Sequence, residues 1–409
     1  MKKRFRSLFK KWIPGIISGG ADNDPAGIST YSISGAQFGY QQLWLMIVST
    51  PMLIAVQAMC ARIGDVTRQG LMTVIKRQYG IFLAMIAMTI LLLTNTVTTG
   101  ADLAGMAEAL GLLTGISYKW WIVPIAVFLW YMIVFNNFRI IEKYLLFLSC
   151  IFLSYAVSAI LSGPRWVDVF TAIVFPPIHL TPQYFATALG ILGTTITPFL
   201  FFWQSKEELE EHNTKRQLLL LSRREDKLVA PGFIYSNFIS LCIMISTGAV
   251  LHSRGITSIA SAAEAARALE PFAGSYARIL FAIGIIGAGL LAIPVLVSST
   301  AYAVSEAFGW RESLSAQPKK AKPFYGIITL SFILAVCLAY WPIAPMQALY
   351  YSQVFAGMLA PMLIILIMLL ANNKRVMGSS VNGWFDNIFG FLTIVVMVGS
   401  TCILLYQLF

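Results

Sequence analysis

The sequence predicts an all-α polytopic membrane protein with about eleven transmembrane helices, and three observations support this. First, 58% of the 409 residues are hydrophobic and only 11% are charged, which is more apolar surface than a soluble fold can cover with polar side chains. Second, the apolar residues form runs of about 20, the length of a helix that crosses the hydrocarbon core. Third, these runs do not alternate apolar and polar residues as the strands of a transmembrane barrel do.

The apolar runs follow one another with short connections, and no connection is long enough for a separate domain. In chain order the eleven runs cover 13–36, 41–61, 81–111, 120–137, 144–162, 184–204, 230–251, 277–308, 325–341, 346–371 and 385–408. We therefore predict a basic cytoplasmic N-terminus at 1–12, a transmembrane core at 13–371, and a final part at 372–409 with a cytoplasmic loop and the eleventh helix.

The positive charge follows the topology of the chain. When the connections are assigned alternately to the two sides, starting inside, 24 of the 29 Lys and Arg residues fall on inside segments. Basic loops remain in the cytoplasm, so the sequence predicts a multi-pass protein of the cell membrane with its N-terminus inside and its C-terminus outside. Lipid is then the expected partner, and the net charge of +11 does not indicate nucleic acid. The oligomeric state does not follow from the sequence.

Two of the runs are interrupted by helix-breaking residues. The first contains "DNDPAG" around Pro25, and the sixth contains "GILGTTITPF", with Gly190, Gly193 and Pro198. These breaks occupy corresponding places if the first ten helices form two five-helix halves. Paired interruptions of this kind indicate an inverted-repeat transporter with its site near mid-membrane, where freed carbonyl groups suit a cation. For either break alone, an ordinary proline kink is the alternative.

Five acidic residues fall inside the predicted spans, and no Lys or Arg lies deep in a span to pair with them. A bound cation or a proton is therefore expected to compensate their charge, which argues against an anion transporter. We predict that Asp24 coordinates the cation and that Asp22 either shares this role or lines water at the mouth. Asp102 and Glu108 either line a permeation path or hydrogen-bond between helices, and Glu306 is expected to be hydrated near the inner interface.

The three histidines, His179, His212 and His252, fall outside the predicted spans. A proton relay near neutral pH usually uses histidine or a buried pair of acids. The absence of histidine from every span therefore argues against strong proton coupling, although carboxylates can also carry protons.

The chain resembles a known family along nearly its whole length. The segment "PGIISGGADNDPAGISTYSISGAQFGYQQLW" resembles the first helix and the following turn of the NRAMP divalent-metal transporters, whose motif there is Asp-Pro-Gly-Asn. "ARIGDVTRQGL" and "ADLAGMAEALG" continue the similarity, "GILGTTITPF" falls on the family's Met-Pro-His motif, and "LYYSQVFAGMLAPMLIILIMLLANNKRVMG" resembles its tenth helix. The resemblance implies a LeuT-like inverted-repeat (5+5) fold with helices 1 and 6 broken, and alternating access for divalent cations.

The chain departs from this family at the metal ligands. Asp24 is kept, but Gly27 stands where the family has its Asn, and Thr197 stands where it has its Met. A thioether favours softer transition metals, whereas carboxylate, hydroxyl, carbonyl and water suit Mg²⁺, Ca²⁺ and Mn²⁺. Because Mg²⁺ sheds water reluctantly, a roomier and harder site suits a hydrated ion. The pattern resembles the prokaryotic NRAMP-related magnesium transporters, and that resemblance implies Mg²⁺ and Mn²⁺ uptake without proton coupling.

Residues that the family's proton route would use are also replaced. Phe199 stands where the family has the His of its Met-Pro-His motif, and Gln204 stands where it has a second His on the same helix. Gly105 occupies the position of the helix-three acid that the family places three residues after its Asp. The soft metal ligand and much of the proton route are therefore missing together.

These considerations define the predicted site and its competitors. The predicted ion-binding residues are Asp24, Gly27, Thr194, Thr197, Asp22, Asn23 and Gln353. No cofactor is expected besides Mg²⁺ or Mn²⁺ as transported substrate, and no motif suggests an enzyme. The competing hypotheses are a proton-coupled Mn²⁺/Fe²⁺ transporter with altered ligands, an organic-cation or amino-acid carrier that uses free helix N–H groups, and a non-transporting membrane sensor.

Overall fold

The computed structural model describes residues 22–135, 152–212, 226–312, 314 and 318–408, and within these ranges all regular structure is helical. The helices of nine or more residues are α1 Pro25–Phe38, α2 Leu43–Thr67, α3 Leu71–Thr114, α4 Lys119–Phe135, α5 Leu153–Leu161, α6 Trp166–Val174, α7 Pro182–Thr195, α8 Pro198–His212, α9 Asp226–Val250, α10 Ala277–Phe308, α11 Lys322–Ala339, α12 Pro345–Ala371 and α13 Trp384–Leu408. Shorter helical turns span His252–Arg254, Ala262–Ala266, Arg267–Leu269, Glu270–Ala273, Gly274–Tyr276, Pro318–Lys320 and Lys374–Met377.

Eight helical segments of the described part are long and apolar enough to cross a membrane. A ninth candidate is the pair α5 and α6, which meet at a bend of 115°, and α4 is a shorter apolar helix. Each of the eleven predicted runs overlaps a helix in the described ranges, so the prediction of a polytopic helical protein is confirmed. The basic segment 1–12 and the beginning of the first run lie outside the described residues.

The long helices α3 and α10 pack against each other, and a polar cluster joins them. The side-chain amide of Asn95 on α3 donates to the Leu296 carbonyl at 3.2 Å, to Ser299 Oγ at 3.0 Å and to Thr300 Oγ1 at 2.9 Å, all on α10. Polar side chains of this kind hold helices together where lipid provides no hydrophobic driving force between them.

Helix α3 is sharply bent at Gly80, whose φ of 85° and ψ of 173° are not helical. A side chain is strained at this φ, and glycine avoids the strain because it lacks a Cβ. The bend separates residues 71–79 from the long segment that follows. The predicted third run begins at 81, although the helix begins at Leu71, because Lys76, Arg77 and Gln78 interrupt the apolar sequence before the bend.

The predicted break in the sixth run is confirmed. Helix α7 ends at Thr195, Ile196 has a non-helical φ of −112° and ψ of 64°, and α8 begins at Pro198. Just before the break, Gly193 packs so closely on α12 that a Cβ there would overlap the Gln353 carbonyl. Small residues permit such close contact between membrane helices, and here the contact holds the broken end of α7 against α12.

A buried ion-pair cluster joins the end of α8, the end of α10 and the beginning of α3. Lys206 donates to Glu306 Oε1 at 3.1 Å and also to Glu312. The second Glu306 oxygen accepts the Thr73 N–H at 3.1 Å, and a Cβ at Gly70 would overlap this carboxylate. The expectation that Glu306 is hydrated is therefore wrong, because the residue is 8% exposed and paired with a lysine from another helix.

Glu312 in this cluster makes the free energy of unfolding depend on pH. Burial and the neighbouring Glu306 raise the pKa of Glu312 to about 7 from 4.5, against the opposing effect of Lys206. The folded protein therefore binds this proton more tightly than the unfolded chain does. The resulting stabilisation is complete below a pH of about 4.5 and is lost as the pH rises through about 7.

We expect Glu312→Gln, which retains the neutral form of the side chain, to flatten this dependence. Its melting temperature should equal that of the wild type near pH 4.5 and exceed it above about pH 7. Thermal unfolding of the detergent-solubilised protein measures the difference. Glu270→Gln is the control, because Glu270 is an exposed acid 3.6 Å from Arg254, and it should follow the wild type. Identical pH profiles for Glu312→Gln and the wild type would contradict the assignment.

Candidate functional site

Helix α1 begins at Pro25, and Asp24 is its N-cap; the part of the predicted first break before Asp22 lies outside the described residues. Asp24 has an extended backbone and caps the helix, because its Oδ1 accepts the Gly27 N–H at 2.5 Å. Pro25 follows at the first helical position, where a missing N–H has no cost. Asp24 is only 3% exposed. The helix N-terminus stabilises a carboxylate at this place, so the local sequence holds one anionic group at the break.

A second carboxylate reaches the same helix end from α3. Asp102 Oδ1 accepts the Ala26 N–H at 3.1 Å, and Asp102 lies close enough to Asp24 for their charges to repel. Asp102 is fully buried, and its Oδ2 has no hydrogen-bond partner among the described residues. Glu108, farther along α3, instead accepts the Ala262 N–H at 2.9 Å. Of the two acids on α3, Asp102 therefore belongs to the site, and Glu108 caps a short helix.

Gly27 and Thr194 form the facing side of the site. A Cβ added at Gly27 would lie 2.7 Å from Thr194 Oγ1 and 3.0 Å from Asp24 Oδ1. The hydroxyl and the carboxylate therefore both border the space that the glycine leaves. Thr194 Oγ1 is buried without a hydrogen-bond partner in the described part of the chain. The structure thus brings Asp24 and Gly27, at the start of α1, together with Thr194 at the end of α7.

The other predicted residues of the sixth run and of α12 lie around this centre. Thr197 is 5% exposed in the non-helical link between α7 and α8. The Tyr31 hydroxyl on α1 lies 3.1 Å from Thr195 Oγ1, which ties α1 to the end of α7. Gln353 is buried, and its side-chain amide donates to Ser352 Oγ at 3.4 Å. The α7–α8 break is therefore held between α1 and α12.

Asp22 and Asn23 contact a different helix, α9. Ser236 Oγ donates to Asp22 Oδ2 at 2.7 Å, and Ser240 Oγ lies 3.5 Å from Asn23 Oδ1. Asp22 and Asn23 are 2% and 1% exposed. Sequence reasoning did not single out the two serines, because serine is common in membrane helices and carries no signal without its partner.

At three positions where the family has a titratable side chain, this chain has a residue without one. A Cβ at Gly105 would lie 2.8 Å from the Leu349 side chain, so Leu349 fills the space near that position. Phe199 belongs to the apolar core. Gln204 is 4% exposed, and its Oε1 has no partner among the described residues. None of these three residues has a side chain that can carry a proton.

The described residues contain no group of three or more His, Cys, Asp or Glu side chains that could enclose a metal ion. The site instead combines carboxylate and hydroxyl oxygens with backbone carbonyls at the end of α7, which a continuous helix would have satisfied. Few charges and hard oxygen ligands suit an ion that keeps part of its water.

The chain matches the family model for natural resistance-associated macrophage protein-like (Nramp) sequences over residues 15–407. It is also similar to the "Divalent metal cation transporter MntH" of Klebsiella pneumoniae (strain 342). The two sequences are 25% identical over 381 residues, which cover 92% of this chain and 88% of the relative.

Two solved structures share its fold. The Eremococcus coleocola manganese transporter, in complex with an aromatic bis-isothiourea substituted compound, has a TM-score of 0.76 at 20% identity, with 97% of this chain and 86% of that chain covered. Mhp1, a nucleobase-cation-symport-1 family transporter in a closed conformation, has a TM-score of 0.60 at 14% identity, with 97% and 91% covered. These similarities confirm the predicted LeuT-like fold.

Proposed function

We propose that this chain, which belongs to the Nramp family and is a divalent metal cation transporter, carries Mg²⁺ as its preferred substrate and Mn²⁺ as a second one across the cell membrane. The observation that supports this choice of ion is the convergence of Asp24 Oδ1 and Thr194 Oγ1 on the space left by Gly27. Both ligands are hard oxygens, and no thioether or imidazole is among the residues proposed for the site. Such a ligand set favours Mg²⁺ and Mn²⁺ over softer metals.

The proposed roles follow from the positions of the side chains. Asp24 supplies the negative charge, directly or through water, and Thr194 supplies a neutral oxygen. Thr197 and the carbonyls at the end of α7 complete the inner ligands, and Gln353 contributes to the outer shell. The space at Gly27 admits water, which Mg²⁺ retains in most protein sites.

Transport by this route needs no proton. Moving one charge across 100 mV is worth about 2.3 kcal/mol, so a divalent ion gains about 4.6 kcal/mol. That energy corresponds to roughly three orders of magnitude of accumulation. Phe199, Gln204 and Gly105 have no titratable group, which supports uptake without strong proton coupling. We expect this uptake to proceed by alternating access between the two five-helix halves.

The orientation in the membrane belongs to the same proposal. The distribution of Lys and Arg supports a cytoplasmic N-terminus at 1–12, a 5+5 core at 13–371, and a cytoplasmic loop with an eleventh helix at 372–409. In this orientation the Lys206 cluster with Glu306 lies at the cytoplasmic ends of its helices.

A flux assay with purified protein in liposomes tests the proposal. We expect Mg²⁺ and Mn²⁺ to enter at rates that a pH gradient does not change, and the internal pH to stay constant during uptake. The proton-coupled Mn²⁺/Fe²⁺ alternative instead requires metal-driven acidification of the liposome interior. Acidification of this kind, or the absence of Mg²⁺ flux, would contradict the proposal.

The amino-acid carrier is disfavoured by the start of α1. Such a carrier would bind a substrate carboxylate with free N–H groups at a half-helix end. Here the N–H groups of Ala26 and Gly27 are already bonded to Asp102 and Asp24. The positive end of the helix is therefore occupied by the protein's own carboxylates.

A further inference from the structure

We propose that the chain has a second cation site, for a monovalent cation of the sodium type, between the start of α1 and α9. Its ligands are Asp22, Asn23, Ser236 and Ser240. The inference rests on the proposed function in one respect, since it takes the divalent ion to occupy the site at Asp24.

The unsatisfied oxygen of Asp22 is the first observation. Ser236 bonds only Oδ2 of this carboxylate, at 2.7 Å. The other oxygen, Oδ1, is buried and has no hydrogen-bond partner among the described residues, and the residue as a whole is 2% exposed. A buried carboxylate oxygen without a partner is costly, so a ligand at Oδ1 would stabilise the structure.

The neighbouring groups supply further oxygens of the same kind. Ser240 Oγ lies 3.5 Å from Asn23 Oδ1 and 3.1 Å from the Ser236 carbonyl, one turn earlier on α9. The Asp24 carbonyl accepts the Ile28 N–H at 3.1 Å, so the proposed ligands are the side-chain oxygens of Asp22, Asn23 and the two serines. One carboxylate with neutral amide and hydroxyl oxygens is a ligand set for a hard cation.

Charge balance selects a monovalent ion. Asp22, Asp24 and Asp102 are all at most 3% exposed, and none of them forms an ion pair with Lys or Arg in the described part of the chain. A divalent ion bound by Asp24 neutralises the charge of Asp24 and that of the neighbouring Asp102, which are two of the three charges. The third charge, on Asp22, is balanced by one monovalent cation, whereas a second divalent ion would leave a net positive charge buried.

The second ion therefore affects both stability and transport. A net negative charge is expensive to bury at mid-membrane. When no cation balances the charge of Asp22, the protein therefore closes less readily around the bound divalent ion during transport. Divalent uptake should therefore be faster in Na⁺ than in choline, a cation too large for the site. Since binding and stability are linked, Na⁺ should also stabilise the folded protein.

The test compares the purified full-length protein in sodium chloride and in choline chloride at equal ionic strength. We expect Na⁺ to raise the melting temperature of the wild type by about 2 °C or more and to increase Mg²⁺ uptake by about fivefold or more. Asp22→Asn removes the charge, so it should lose the Na⁺-dependent shift and transport Mg²⁺ equally in both salts. Ser236→Ala should need a higher Na⁺ concentration for the same shift.

Ser246→Ala is the matched control, because Ser246 lies on the same helix but bonds to Ser158 and the Ala268 carbonyl. It should keep the wild-type response to Na⁺. A wild-type melting temperature that is the same in both salts, or an equal Na⁺ shift in Asp22→Asn, would overturn the second site. Mg²⁺ uptake that continues in that case leaves the proposed function intact. Conversely, a Na⁺ shift that depends on Asp22, without any divalent uptake, would support the second site and refute the proposed function.

Discussion

Asp24→Ala is expected to abolish divalent-cation uptake while the protein remains folded. The carboxylate caps α1 and borders the space at Gly27, across from the Thr194 hydroxyl at the end of α7. Loss of one partner from a buried ion pair costs about 3–5 kcal/mol, which corresponds to a loss of roughly two to four orders of magnitude in affinity. Uptake of Mg²⁺ and Mn²⁺ into liposomes measures the effect.

Asp24→Asn tests the role of the negative charge separately from the role of the side chain as a helix cap. Asparagine caps helices as well as aspartate does, so this variant should keep the melting temperature of the wild type and still lose uptake. Asp168→Asn, at an exposed acid on α6, should transport like the wild type. Wild-type uptake by Asp24→Asn would show that the charge is not required, and the proposed ligand would then be wrong.

The second large effect is a change of ion preference. Gly27→Asn with Thr197→Met restores the ligands that the family has, but a Cβ at position 27 would lie 2.7 Å from Thr194 Oγ1. Thr194→Ala is therefore needed as a third substitution to make room. We expect the triple variant to favour Mn²⁺ over Mg²⁺ by about tenfold relative to the wild type, or about 1.4 kcal/mol, because the Met thioether is a softer ligand than the hydroxyl oxygens that it replaces.

Competition between Mg²⁺ and Mn²⁺ for uptake measures this ratio. Gly27→Asn alone is the control for space, and we expect it to impair transport of both ions, since the Thr194 hydroxyl must move. Thr194→Ala alone should weaken Mg²⁺ uptake without creating a preference for Mn²⁺. If the triple variant folds and its Mn²⁺/Mg²⁺ ratio is unchanged, the argument from ligand hardness fails.

Hydropathy and residue type were sufficient to predict the long helices of the described part and the break in the sixth run. A membrane helix must be about 20 residues long and apolar, so the spans are visible without tertiary information. The break at Pro198 is visible because proline and glycine disfavour continuous helix. Helix α6 was missed and lies in a predicted connection, because the nine residues from Trp166 to Val174 are too few for a span.

The contacts that complete the site were not predictable in the same way. Asp102 bonds to Ala26 across 76 residues, and Asp22 bonds to Ser236 across 214. Such pairs depend on which helices become neighbours, and a single sequence does not contain that information. The sequence predicted that Asp102 lines a path or bonds between helices, and the structure shows its bond to the Ala26 N–H of α1.

The position of Mn²⁺ in a crystal of the protein, located by its anomalous scattering, tests the central claim most directly. We expect the ion between the two broken helices, bound to the Asp24 carboxylate directly or through one water and facing the Thr194 hydroxyl. An ion found elsewhere in the membrane domain, with the Asp24 carboxylate turned away from it, would contradict the account.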